Sequence, residues 1–412
     1  MSLAGLPFLV ALLLLATIFF HLPGVRLRQS VLTLCNLGFL SLLIPNWATA
    51  AGLGVFLLSG YLLGVILRRW PSRALLLIYV VLLVATFLAL KKYDFITPYL
   101  PSSFLALGVS IIGLSYMLFR QIQYLVDTIE GQIESSSAWD YFNFQIGVFT
   151  LLSGPIQRFQ DFQAHWNQLQ PVLQHNHAVR MAYLRLLIGI IKMTVVATLF
   201  FSLYQQSASA LNVPADASLH GRWSYLISLC GILYCYPVYL YLNFSGYCDI
   251  VIAGASLVGL VLPENFDRPY ISRNVIDYWT RWHRTLGFWI RDYIFMPLYR
   301  GIAQRWPKQA EQMAFICYFV AFFLAGVWHG PTTNFIIYGL LQAIGVSTAK
   351  LWERHLINKR GRKGLKEYLA SSRIRAVAIF ATLQFECLSL LFFPTDLSTT
   401  LRMLGTAWRA LT

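Results

Sequence analysis

Residues 315–330 read FICYFVAFFLAGVWHG, a run without Asp, Glu, Lys or Arg that ends on His329 and Gly330. Such a stretch reads as a membrane helix. An ionisable side chain at membrane depth is expensive to desolvate, which makes His329 a functional-site candidate by default. Gly330-Pro331 follows it, and no carboxylate lies nearby in sequence to pair with the imidazole. A neutral histidine in that setting can take a proton from a hydroxyl.

The rest of the chain repeats the apolar pattern. Of its 412 residues, 57% are hydrophobic and 12% charged, where soluble domains carry roughly 45–50% and 25%. The chain therefore reads as a polytopic membrane protein. Its formal net charge of +15 belongs to short connections facing an anionic leaflet, not to nucleic-acid binding. The six cysteines sit mostly inside apolar runs, with no CxxC pair and no Cys/His cluster at ligand spacing. They read as small buried hydrophobes, so neither disulfides nor structural zinc are expected.

Apolar stretches at 6–22, 31–44, 48–67, 74–90, 104–119, 183–203, 223–242, 247–262, 315–328, 334–349 and 376–393 predict about eleven transmembrane helices. Residues 1–22 lack a basic leader and a small-residue cleavage site, and are expected to remain as the first span. Arg26 and Arg28 follow the first span, and Arg68, Arg69 and Arg73 the third. Basic connections stay cytoplasmic, which puts the N-terminus outside. The most basic connection, 353–375, should also be a cytoplasmic loop. Residues 139–152 are short and stop at Gly154-Pro155, which fits a re-entrant segment as well as a crossing. His165, His175 and His177 lie in a polar segment almost without carboxylates and read as loop histidines, with no metal site expected. Residues 401–411 fit a short interfacial helix.

Between 239 and 330 lies the chain's densest polar chemistry. Asn274 and Asp277 can cap a helix. After them Trp279, Trp282, Leu286, Trp289 and Tyr293 recur at three- and four-residue steps, with Arg281, Arg284, Arg291 and Asp292 largely opposite. That pattern predicts one amphipathic helix lying in the membrane interface. His283 sits among these arginines with few counter-charges, so its imidazole should stay neutral at pH 7. The arginines, with Arg268, Arg273 and Arg300, are candidates for binding a coenzyme's phosphates or the acidic surface of a carrier protein.

Five motifs in order carry a resemblance: Gly154-Pro155-Ile156-x-Arg158-x-x-Asp161-Phe162, Phe244-Ser245-Gly246-Tyr247-x-Asp249, Pro263-Glu264-Asn265-Phe266-x-Arg268-Pro269-Tyr270, Trp279-x-Arg281-Trp282-His283 and Trp328-His329-Gly330. Together they resemble the membrane-bound O-acyltransferase (MBOAT) family, and within it the bacterial branch of alginate O-acetylation and teichoic acid D-alanylation proteins. Asn243 stands where that branch often has Asp, and Arg284 where an apolar residue is commoner.

The resemblance implies an all-α polytopic fold with re-entrant and interfacial amphipathic helices in a single integral membrane acyltransferase domain over 1–412. Within it, 1–103 would be N-terminal helices, 104–349 the catalytic core, and 350–412 the basic loop and C-terminal helices. It implies His329 as the catalytic histidine and His283 as the second, with Arg281, Arg284, Trp282, Trp328, Asn265, Arg268, Tyr247 and Asp249 binding substrate. The donor would be a cytoplasmic acyl thioester, acetyl-coenzyme A or an acyl carrier protein, with no bound cofactor. The acceptor would be hydroxyls of an extracellular or periplasmic polysaccharide, reached directly or through an exported acyltransferase or esterase-like partner. The implied location is the bacterial cytoplasmic membrane, with acetyl transfer the first choice and D-alanyl transfer to teichoic acid the second. A transporter with a histidine proton relay, or a scaffolding subunit, are the readings from other classes. Scarce Asp and Glu inside spans and the lack of inverted repeats weigh against the transporter.

Overall fold

The structure, a computed structural model, describes residues 6–93, 96–101, 113–170, 176–211 and 219–411. Every regular element among the described residues is helical. Seven helices among them are long and apolar enough to cross a membrane: Trp47–Arg69, Arg73–Leu90, His177–Ala210, Trp223–Leu257, Ala310–His329, Thr333–Ala370 and Ser372–Phe392. Phe8–His21 is a shorter apolar helix. Large apolar side chains on these rods are uncovered by protein, with Val55 at 69%, Ile78 at 59% and Val377 at 68% exposure. Such faces belong against lipid, while the helices satisfy their own backbone hydrogen bonds.

Several expected boundaries change. The spans expected at 223–242 and 247–262 are one helix, Leu219–Leu257, with Pro237 inside it. Residues 243–246 contain no proline to break it, and the Tyr270 hydroxyl donates to the Pro237 carbonyl at 2.6 Å. The helix ends just beyond, where Gly259 takes φ +87°. Leu260 N–H then donates to the Ala255 carbonyl and Gly259 N–H to that of Ser256, the paired bonds of a glycine C-cap. The 353–375 stretch is also not a loop. Its helix runs on to Ala370 with a kink at Gly361, φ 66°, because Lys, Arg, Glu and Leu favour helix and glycine admits the turn.

The expected span at 104–119 lies partly outside the described residues, as does His175. The segment at 139–152 forms only the nine-residue helix Ala138–Ile146, which at about 14 Å cannot cross a ~30 Å hydrocarbon layer. Its last carbonyls need partners. Arg120, itself 1% exposed, supplies them, donating through Nη1 to Phe144 and Gln145 at 2.8 and 2.7 Å. The 158–180 segment is helical over Phe159–Asn167 and again from Asn176, so His165 and His177 are helix residues and not loop histidines, and His165 Nδ1 bonds the Asp161 carbonyl at 2.7 Å.

The chain divides into two compact units, Met1–Ile190 with Gly246–Glu264, and Ile191–Ser245 with Asn265–Thr412. In the first, Leu40, Leu53, Leu57, Met117, Ile146 and Leu151 form a buried core cluster. In the second, Val275, Tyr278, Trp279, Trp282 and Val346 form another, and beside it the helices Ala310–His329 and Thr333–Ala370 approach closely. A Cβ on Gly326 would meet Gly339 Cα at 2.9 Å, and one on Gly339 would meet Gly326 Cα at 3.0 Å. Paired glycines let two membrane helices touch backbone to backbone, and that contact lies one turn before His329.

Candidate functional site

The expected interfacial helix over 274–293 is broken in the middle, and the break forms the site. Asn274 does cap a helix, its Oδ1 accepting from Asp277 N–H at 2.8 Å, but that helix is only Val275–Trp279. His283 then adopts φ 42°, a left-handed conformation that a side chain other than Gly, Asn or Asp visits at a cost. A new helix starts at Arg284. The residues of the preceding Asn265 loop hold this break in place. Asp267 N–H donates to the Arg281 carbonyl, and Arg284 N–H to the Asn265 carbonyl, both at 2.9 Å. Periodicity had no means of seeing contacts 14 and 19 residues apart.

Asn265 also fixes the histidine ring. Its Oδ1 lies 3.1 Å from His283 Nδ1, and accepts from Thr285 N–H at 3.3 Å and from the Thr285 hydroxyl at 2.9 Å. A backbone N–H can only donate, so this atom is the amide oxygen and the bond from the histidine must be Nδ1–H donating. The neutral ring therefore keeps its lone pair on Nε2. Asn265 is 1% and His283 3% exposed. Burial lowers the His283 pKa to about 3, with nearby His329 acting in the same direction. Neutrality at pH 7 thus agrees with the expectation, but its chief cause is desolvation and not the arginines.

His283 and His329 meet through aromatic rings. Trp328 lies 6.1 Å from the His283 ring and 4.8 Å from that of His329, centroid to centroid. Phe244 packs edge-on to His283 at 4.9 Å. Around His329 stand Phe393 at 5.2 Å and Tyr338 at 5.9 Å. Among the described residues no carboxylate forms an ion pair with either histidine. An unprotonated imidazole in such a site has a ring nitrogen whose lone pair can take a proton from an alcohol. No group of three or more His, Cys, Asp or Glu that could hold a metal occurs among the described residues.

The other expected site residues divide. Trp282 is buried in a cage with Phe266 at 5.1 Å and Tyr278 stacked at 5.7 Å, positioning the His283 turn. Arg281 is engaged, its Nε donating to Asp277 Oδ1 at 2.7 Å and its Nη1 lying 3.9 Å from Asp267 Oδ2. The hydrogen bond it donates to Asp277 holds its pKa above the usual value, burial partly opposes this, and the Asp277 and Asp267 charges add to it. Arg284 is half-buried with its Nε lacking a hydrogen-bond partner, and its guanidinium lies 5.7 Å from the Phe288 ring. Arg268 is exposed and, like His283, left-handed at φ 47°.

Tyr247 and Asp249 belong to the first unit. There Arg185 Nε donates to Asp249 Oδ1 at 2.9 Å, and its two Nη atoms grip Glu264 bidentately at 2.6 Å each. Sequence reasoning passed over Arg185, although a lone arginine inside an expected span is itself a signal. Thr285 was missed too, and no sequence pattern marks it.

The profile of the membrane-bound O-acyltransferase family, MBOAT, matches residues 77–391. The chain is 29% identical over 289 residues to the teichoic acid D-alanyltransferase of Streptococcus thermophilus, covering 69% of this chain and 68% of that protein. It is 28% identical over 288 residues to the one of Bacillus subtilis, covering 69% of each. It is 26% identical over 250 residues to the probable alginate O-acetylase AlgI of Pseudomonas aeruginosa, covering 58% of this chain and 44% of that protein.

Proposed function

Because the chain belongs to the membrane-bound O-acyltransferase family, we propose that it moves an acyl group, acetyl in the first instance, from a cytoplasmic thioester to a hydroxyl of an envelope polysaccharide. The enzyme class replaces the transporter and scaffold readings. The observation that carries the proposed chemistry is the pair of histidines bridged by Trp328, with rings 6.1 and 4.8 Å from the indole.

His329 acts as the general base. An imidazole nitrogen takes the acceptor's hydroxyl proton as that oxygen forms its bond to the thioester carbonyl carbon. The C–S bond then breaks, and the leaving thiolate receives the proton from the imidazolium. His283 positions the donor and does not polarise its carbonyl. With Nδ1–H committed to Asn265, Nε2 is an acceptor, suited to an amide N–H of the pantetheine arm that coenzyme A and acyl carrier proteins share. Arg284 and Arg268 remain the cations for donor phosphates, and Trp282 and Trp328 shape the pocket. Asn265 contributes by holding His283. For Tyr247 and Asp249 the substrate-binding role rests on the family resemblance alone. The whole chain, re-entrant and interfacial segments included, serves as one integral acyltransferase domain in a bacterial cytoplasmic membrane, working directly or with an exported partner.

D-alanyl transfer from a carrier protein is the second reading, supported by the longer match to the D-alanyltransferases. Membrane vesicles carrying the protein, given radiolabelled acetyl-coenzyme A or, separately, a D-alanyl-charged carrier protein, test both. We expect label in polymer from the first donor and a loss of about 10²–10⁴-fold with His329→Ala at equal protein level. Label only from the second donor selects D-alanylation. Full activity of His329→Ala with either donor overturns the proposed base.

A further inference from the structure

The second unit holds a cleft that the acyl-transfer chemistry does not use. Its walls are the helices Thr333–Ala370 and Ser372–Ser389, and it encloses about 560 Å³, within the range of ~300–1,000 Å³ usual for small-molecule sites. Over most of its length it is apolar, lined by Ile344, Val377 and Ala381. It opens sideways along faces that protein leaves bare, with Ile344 at 49% and Val377 at 68% exposure. A groove between two spans that opens onto such faces is reached from lipid and not from water.

One end differs. Arg273 and Arg373 line it there, and an adjoining recess of about 540 Å³ adds Arg375, with Asp277 and Glu353 also on its lining. Trp352 and Tyr368 border both cavities, the residue types that sit at headgroup depth. Other cations nearby are already matched, Lys350 by Glu353 at 2.7 Å and Arg281 by Asp277 at 2.7 Å. No carboxylate among the described residues pairs with the Arg273, Arg373 or Arg375 side chains. The basic turn at the end of the cleft faces the cytoplasm by the rule that keeps lysine and arginine inside, where the leaflet is anionic.

We propose that this cleft is a binding site for an anionic phospholipid of the cytoplasmic leaflet. The phosphodiester sits among Arg273, Arg373 and Arg375, the headgroup rests against Trp352 and Tyr368, and one acyl chain runs along Val377 and Ala381. Three unmatched guanidiniums call for a phosphate, and the apolar groove behind them calls for a hydrocarbon tail on the same molecule. The site is independent of the acyl-transfer reading and stands or falls without it.

Native mass spectrometry of the full-length protein, titrated with phosphatidylglycerol and separately with phosphatidylcholine, tests it. Phosphatidylglycerol should be retained preferentially. The double variant Arg373→Gln/Arg375→Gln should weaken its retention about thirtyfold, at the usual worth of two cations near a membrane surface. Arg373→Lys/Arg375→Lys should keep most of it, and Ala381→Trp, filling the apolar groove without touching charge, should lower it again. Equal retention of the two lipids, or unchanged retention in the glutamine variant, overturns the proposal. Displacement of the lipid by free glycerol phosphate at equal concentration would show a soluble phosphate site, and displacement by coenzyme A a donor site. Either result also overturns it.

Discussion

One oxygen of Asn265 accepts three hydrogen bonds, from His283 Nδ1, Thr285 N–H and the Thr285 hydroxyl. Asn265→Ala leaves those donors buried and unmatched, and should destabilise the protein by about 2–3 kcal/mol, read as a lowered Tm in detergent. Asn265→Asp keeps the acceptor but places a negative charge beside the ring. That charge favours the imidazolium and raises its pKa, so Nε2 gains a proton in mild acid and loses its acceptor role. The variant's activity should fall between pH 8 and pH 6 relative to wild type, and an identical pH profile would remove the assigned tautomer. The folded pKa, about 3, lies below the unfolded value of about 6.5, so below pH 6.5 the unfolded state takes up a proton that the folded ring refuses. Wild type should lose about 1.4 kcal/mol per pH unit from this group as pH falls from 6.5 towards 3. Tm measured at pH 7 and pH 5 should show that component missing in His283→Gln.

At the scale of elements, the contact of Gly326 with Gly339 sets where His329 stands. Gly339→Val adds a branched side chain where even a Cβ would meet Gly326 Cα at 3.0 Å. The helices must part, at a cost of about 1–3 kcal/mol, and His329 moves away from Tyr338 on the facing helix. Transferase activity should fall far more than Tm, whereas Gly405→Val, at a position with nothing within 4 Å, should change neither. The break at His283 is the other decisive element. The sequence correctly located the cap at Asn274 and the aromatic spacing after it, because both are local. It implied an unbroken helix because periodicity counts side chains along one rod, and the Asn265 loop that interrupts this rod comes earlier in the chain.

For the whole molecule, membrane orientation is the open prediction. The basic stretch 353–375 should face the cytoplasm, so Lys363→Cys, in a background with the six native cysteines replaced, should react with a membrane-impermeant maleimide only in inside-out vesicles. Labelling of intact cells would reverse the orientation. What the sequence determined by itself is what local chemistry writes: helices matched to lipid by runs of apolar residues, a basic connection, five ordered motifs, and two histidines in settings where charge is costly. Hydropathy needs no knowledge of partners, because the surrounding lipid is the same for every span. The tertiary structure alone decided which of those residues meet. It set His283 in a left-handed turn, paired it with Asn265 18 residues earlier, and brought it to Trp328 and His329. It also committed Arg281 to Asp277 and Asp249 to Arg185. Those outcomes depend on hydrogen-bond and ion-pair geometry between distant segments, which the order of side chains along the chain does not encode.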